Sequence, residues 1–181
     1  MSIREKAKSK SPELITEWSN LLLGCKYCNS RKSNVTDLSN VNDYLFPDEC
    51  NTAIAFTYKY GYPSVNENVI NSIDGSGEMA KKAKNTFDLI KLGNKEAEDK
   101  RNIKRNEVYQ IALSSLKRWK NIQCEDMKNQ IVDTALANGF FSVWMEVFRD
   151  KPIVLNALID GFPGTEKHFF DSNGRVLSKL K

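Results

Sequence analysis

The chain has 181 residues, 40% of them hydrophobic and 28% charged, which is the composition of an ordinary globular protein with room for one domain or a small module joined to a larger one. Its 27 basic and 23 acidic side chains leave a net charge of +4, mild enough to suit nucleic acid without requiring it. No apolar run approaches the length of a membrane span, and the opening "MSIREKAKSKSPEL" lacks the apolar core of a signal peptide, so a cytoplasmic, non-membrane protein is expected.

The first 34 residues concentrate positive charge: Arg4, Lys6, Lys8, Lys10, Lys26, Arg31 and Lys32 stand against Glu5, Glu13 and Glu17. Within them lies "WSNLLLGCKYCNSRKSN", whose Cys25 and Cys28 form the only closely spaced pair among four cysteines. In a cytosolic chain such usage argues against a disulfide framework. A Cys-x-x-Cys turn can present two thiolates to a tetrahedral zinc ion, but a structural site needs four ligands, so the pair is half a site. A redox role is disfavoured because no βαβ pattern surrounds it. Cys50 and Cys124 are isolated; they are the available third and fourth ligands, at a spacing typical of no zinc module.

Further on, "AIAFTYKY" alternates enough to predict a strand, closed by the turn signal Gly61-Tyr62-Pro63. Asn51-Thr52 is a candidate helix cap just before it, and Asp48 and Glu49 are acidic side chains suited either to a cation or to a turn. Residues 64–77, ending in "DGSG", read as a loop or linker. From Glu78 the period becomes helical. Met79, Ala83, Phe87 and Ile90 share one face, with Gly93-Asn94 as a stop.

The run "KEAEDKRNIKR" is mixed in sign and reads as a solvated helix face. It leads into Val108, Ile111, Ala112, Leu116, Trp119 and Ile122, an amphipathic helix of about five turns. Met127, Ile131 and Ala135 predict a third helix ending at Asn138-Gly139. Phe141, Trp144, Met145 and Phe148 predict a short fourth, and Leu155, Leu158 and Ile159 a fifth after Pro152. The Trp and Phe positions read as core, not as a cofactor box. Asn173-Gly174 in the tail suits a small hairpin or an irregular cap, and the single histidine, His168, reads there as a surface or packing residue. The expected protein is therefore mostly α: a small, irregular N-terminal module over residues 1–63, a linker at 64–77, and a helical domain over 78–181.

Asn20 lies five residues before Cys25, and Asn29 follows Cys28 directly, giving Asn-x(4)-Cys-x(2)-Cys-Asn. With "PELITEWSNLLLGCKYCNSRKSN", "YLFPDECNTAIAFTY", "NTFDLIKLGN" and "GFFSVWMEVF", the chain resembles the HNH nucleases of the ββα-metal class. The branch it is most similar to includes the nuclease subunit of Septu-type antiphage systems. The resemblance implies a ββα-metal module followed by a helical region, and DNA as substrate. It also implies an ATPase subunit as partner, and hydrolysis of phosphodiesters assisted by one Mg²⁺ or Mn²⁺.

By the same resemblance Asn20 braces the loop and Asn29 ligates the catalytic cation from the following helix. Cys25 and Cys28 hold half of a structural zinc site, and Lys8, Arg31 and Lys32 face phosphate. The family's general base, a His at the end of the first strand, falls at Arg4 when "PEL" anchors the register. The upstream Cys pair that completes the family's zinc site has no counterpart in this sequence. A guanidinium with a pKa above 12 cannot take a proton from water, though it can hold phosphate. Two further readings therefore stand beside the enzyme. One is a degenerate HNH-like protein that binds nucleic acid or a partner without cutting; the other is a helical adaptor built on residues 78–160.

Overall fold

The computed structural model describes residues 2–3, 21–22, 27–28, 30, 41–46, 50–94 and 100–178. Over these the protein is mostly helical. Among the described residues the only sheets are two antiparallel pairs of two-residue strands.

β1 (Ser2–Ile3) and β2 (Leu21–Leu22) pair with Ser2 opposite Leu22 and Ile3 opposite Leu21. Tyr27, Cys28 and Ser30 are helical, and the Ser30 hydroxyl donates back to the Tyr27 carbonyl at 2.9 Å. A short α1 (Thr52–Ala55) runs straight into β3 (Phe56–Thr57), which turns through residues 58–63 and returns as β4 (Ser64–Val65). The expected strand in "AIAFTYKY" is thus half helix: Ile54 and Ala55 are buried from one helical turn, and only Phe56 and Thr57 join a ladder. Asn51 precedes α1 but does not cap it. Its buried side chain donates to the Leu177 carbonyl at 3.3 Å and so ties the C-terminal tail to this region.

The stretch expected to be a linker is structured. After β4 comes α2 (Glu67–Ile73), which buries Ile70, and the irregular part shrinks to residues 74–77. There Asp74 closes the turn. Its carboxylate accepts from the Ser76 hydroxyl at 2.7 Å and from the Met79 amide at 2.9 Å, satisfying one of the unpaired N–H groups that open α3 (Glu78–Leu89). These hydrogen bonds, the Ser76 hydroxyl first, hold the Asp74 carboxyl below the usual carboxylate range.

Ala83 of α3 completes a core with Leu45, Cys50, Ile54, Ala55 and Ile70. This helix therefore packs with the residues before it. Backbone ties support the same grouping: the Leu45 amide donates to the Thr86 hydroxyl at 2.8 Å, and Asn85 donates to the Asp43 carbonyl at 3.1 Å.

The second core belongs to the helices that follow. α4 (Arg101–Asn121) contributes Val108, Ala112 and Trp119, and α5 (Glu125–Asn138) contributes Ile131 and Ala135. α6 (Phe141–Val147) adds Val143 and Trp144, and α7 (Pro152–Gly161) adds Val154, Leu155 and Leu158. α4 packs on α5 and α6, while α7 lies along α5. Trp144 is fully buried, stacks within 6.3 Å of Phe148, and donates its indole N–H to the Gly139 carbonyl at 3.1 Å, so its one polar atom is satisfied. Ile122, expected on the buried stripe of α4, lies just past the helix end and is exposed. The tail closes with a single antiparallel bridge, Phe170 to Val176, around a turn in which the Asp171 carboxylate accepts from the Asn173 and Arg175 amides. Among the described residues no helix is long and apolar enough to cross a membrane.

Candidate functional site

Of the residues the sequence points to, Arg4, Lys8, Asn20, Cys25, Asn29, Arg31 and Lys32 lie outside the described residues, as do Asp48 and Glu49. Cys28 is described, and its surroundings are specific. It is half-buried, and the Arg101 guanidinium donates to its sulfur at 3.1 Å across 73 residues of sequence. The same guanidinium lies 4.3 Å from the centre of the Tyr27 ring. Its other nitrogen donates to the carbonyls of Ile90 at 3.0 Å and Lys91 at 2.6 Å, just past the end of α3.

Arg101 is therefore a three-way clasp joining the Cys28 turn, the C-terminus of α3 and the first turn of α4. A cation belongs at that helix end, where unpaired carbonyls and the helix dipole concentrate negative charge. A planar fork of donors can meet several acceptors at once, which an ammonium cannot.

One turn along α4, Arg105 points into the protein and is only 4% exposed. It donates to the Asn102 side-chain oxygen at 2.5 Å and to the Leu92 carbonyl at 3.4 Å, and lies 6.0 Å from the centre of the Phe140 ring. Tyr58 sits near it. Burial pushes the Tyr58 phenol above its ordinary value, against the opposing pull of the Arg105 charge and a hydrogen bond with Ser142. Tyr58 and Ser142 line both of two neighbouring cavities, of about 280 and 490 Å³. Phe56, Phe141 and Phe170 are shared between the two as well.

The remaining candidates stand apart from Cys28. Cys50 is buried in the core around Ile54, whereas Cys124 is exposed at the start of α5. Among the described residues, which leave out Cys25, no three His, Cys, Asp or Glu side chains converge. His168 is exposed, lies 3.3 Å from the Glu166 carboxylate and rests on the Phe169 ring, consistent with a surface role.

Sequence reasoning missed Arg101, Arg105 and Tyr58. "KEAEDKRNIKR" was expected to be a solvated face, and for Lys104, paired with Glu107 at the surface, it is. A signal for the two arginines was present. Residues 101, 105, 108, 112 and 119 follow one another at three-, four- and seven-residue steps, so Arg101 and Arg105 fall on the same stripe as the buried Val108, Ala112 and Trp119. No family model, curated protein or solved structure matches this chain.

Proposed function

We propose that this chain is an HNH-type DNA endonuclease subunit that hydrolyses phosphodiesters with the help of a divalent cation and serves in antiphage defence beside an ATPase partner. The observation that carries the reading is the order of elements around the motif. An antiparallel strand pair ending next to positions 4 and 20 precedes a helical turn bearing Cys28, and that turn is clasped to the bundle by Arg101.

In this reading Asn29 holds a catalytic Mg²⁺ or Mn²⁺, and Asn20 fixes the loop before it. Cys25 and Cys28 supply two sulfurs to structural zinc, and Lys8, Arg31 and Lys32 hold the phosphates that flank the scissile bond. The cation supplies charge stabilisation at the phosphate. The clasp has its use here, because a ligand on the Cys28 turn is placed only as well as that turn is placed.

Arg4 favours a second reading, a binding subunit that does not cut, because a guanidinium cannot act as a general base. Incubating supercoiled plasmid with the purified chain and Mg²⁺ or Mn²⁺ separates the two. The nuclease reading expects nicking that EDTA and Asn29→Ala both abolish. It also expects that Arg4→His raises the rate on the order of 10²-fold or more, since a positioned base contributes roughly 10²- to 10⁴-fold. DNA binding that is weakened by Arg31→Ala and Lys32→Ala, with no nicking in the chain or in Arg4→His, would establish the binding subunit instead.

A further inference from the structure

The turn between β3 and β4 holds an aromatic residue in an unfavourable backbone conformation. Tyr60 has φ 54° and ψ 29°, and Gly61 follows with φ 78°. Two successive left-handed residues, closed by the Tyr62 amide donating to the Lys59 carbonyl at 3.0 Å, make a type I′ turn, in which Asn-Gly is the favoured pair. A bulky aromatic at the first of these positions is strained.

The strain is held in place by α4. Gly61 sits so close that a Cβ there would lie 3.1 Å from the Arg105 carbonyl oxygen, and Asn106 donates to the Tyr60 carbonyl at 3.4 Å. As a result Tyr58 points into the protein, while Tyr60 and Tyr62 project into solvent, 61% and 52% exposed. Tyr109 of α4 meets the Tyr60 ring at 6.2 Å and nearly at a right angle. The Lys59 ammonium lies 5.6 Å from the centre of the same ring. Residues 50–66 contain no Asp or Glu, so the loop carries a single, positive charge.

We propose that the strained Lys59-Tyr60-Gly61-Tyr62 turn is a stacking platform for unpaired nucleotides, with Tyr60 and Tyr62 taking base faces and Lys59 a backbone phosphate. Exposed aromatics beside a cation suit single-stranded nucleic acid, because every base presents a π-face whatever its identity. Two rings and one ammonium match one or two nucleotides. The platform deepens the reading of the chain as a DNA-binding protein and rests on that reading, but not on cleavage.

The test is fluorescence anisotropy in EDTA, using the full chain with fluorescein-labelled dT15 and a labelled 15-base-pair duplex. Tyr60→Asn combined with Tyr62→Ser puts the preferred residue into the turn, and circular dichroism checks that the variant is folded. The expected result is a loss of dT15 affinity of tenfold or more in this variant, unchanged duplex binding, and dT15 binding within about twofold of the parent in the Tyr60→Phe, Tyr62→Phe variant. Unchanged dT15 affinity in the Asn/Ser variant overturns the platform. So does a parent chain that binds the duplex but not dT15, and so does a double variant that loses only a co-purifying protein. A parent that binds neither probe overturns the nucleic-acid reading together with the platform.

Discussion

Replacing Arg101 by alanine removes, in one step, every contact of the clasp. The guanidinium makes two charge-assisted hydrogen bonds to the Ile90 and Lys91 carbonyls, one to the Cys28 sulfur, and a cation–π contact with Tyr27. In full burial each charge-assisted bond is worth about 1.5–3 kcal/mol. Here Arg101, Ile90 and Cys28 are half-buried and Lys91 is exposed, so water replaces part of the loss. Two carbonyl bonds at about 0.5–1 kcal/mol each and a cation–π term of about 0.5–1 kcal/mol lead to an expected destabilisation of about 2 kcal/mol. Arg101→Lys keeps the charge but cannot meet acceptors on both the Cys28 turn and the end of α3, so about half of that loss is expected for it. Equilibrium urea unfolding, followed by tryptophan fluorescence, measures both. The m-value should stay constant, since the surface exposed on unfolding is unchanged. Arg101→Ala should also speed alkylation of Cys28 under native conditions, read by peptide mass spectrometry, because the turn bearing it loses its tie to α4. A loss below about 0.5 kcal/mol, the range of an ordinary surface substitution, with unchanged alkylation would show that the clasp holds nothing.

Two further perturbations test the same region. Gly61→Ala and Gly77→Ala both force alanine into a left-handed conformation, at φ 78° and 75°, but a Cβ at Gly77 meets nothing within 4 Å, whereas one at Gly61 presses on the Arg105 carbonyl and the Tyr109 Cβ. Gly77→Ala should cost about 1 kcal/mol and Gly61→Ala at least about 1 kcal/mol more by urea unfolding; equal costs would mean that the turn is not seated on α4. Because burial raises the Tyr58 phenol above its ordinary value, the folded state holds that proton more tightly than the unfolded chain does. Its contribution to stability is then complete below the unfolded pKa and is lost as pH rises from there through the folded value, so Tyr58→Phe should flatten the decline in stability above about pH 10. An identical alkaline slope in parent and variant would refute the placement of Tyr58.

The helical half was legible because its burial repeats every three or four residues over long stretches. The stripe of α4 and the stop at Asn138-Gly139 needed no tertiary information. The N-terminal half resisted for the opposite reason. α1 is a single turn, too short to show a period, and it abuts a two-residue strand inside one apolar run. In α2 the spacing of Val69, Ile70 and Ile73 is helical, but the surrounding Asn, Ser and Gly dominate the composition. The candidate site was legible only as a motif. Nothing near Cys28 in sequence announces that its partner is Arg101, because that pairing exists only once α3 and α4 have brought the bundle back to the Cys28 turn.

That dependence bears on how the two halves act on each other. Arg101 and Arg105 are one helical turn apart, about 6 Å along α4, and they serve different segments. The first reaches Cys28, Tyr27 and the end of α3; the second reaches the Leu92 carbonyl and lies against Phe140 and near Tyr58, while its own carbonyl backs Gly61. A rotation or slide of α4 by even a fraction of a turn therefore disturbs the Cys28 turn and the Tyr60 turn together. Neither can adjust alone, since one is fixed by a forked guanidinium and the other by backbone contact. In the proposed function, the phosphate-facing motif and the base-stacking platform are thus held in a fixed relation by one helix face. The clasp serves a cutting subunit and a binding subunit equally well, because both need a strand held in place. What separates the two is the side chain at position 4, where a guanidinium can hold phosphate but cannot activate water.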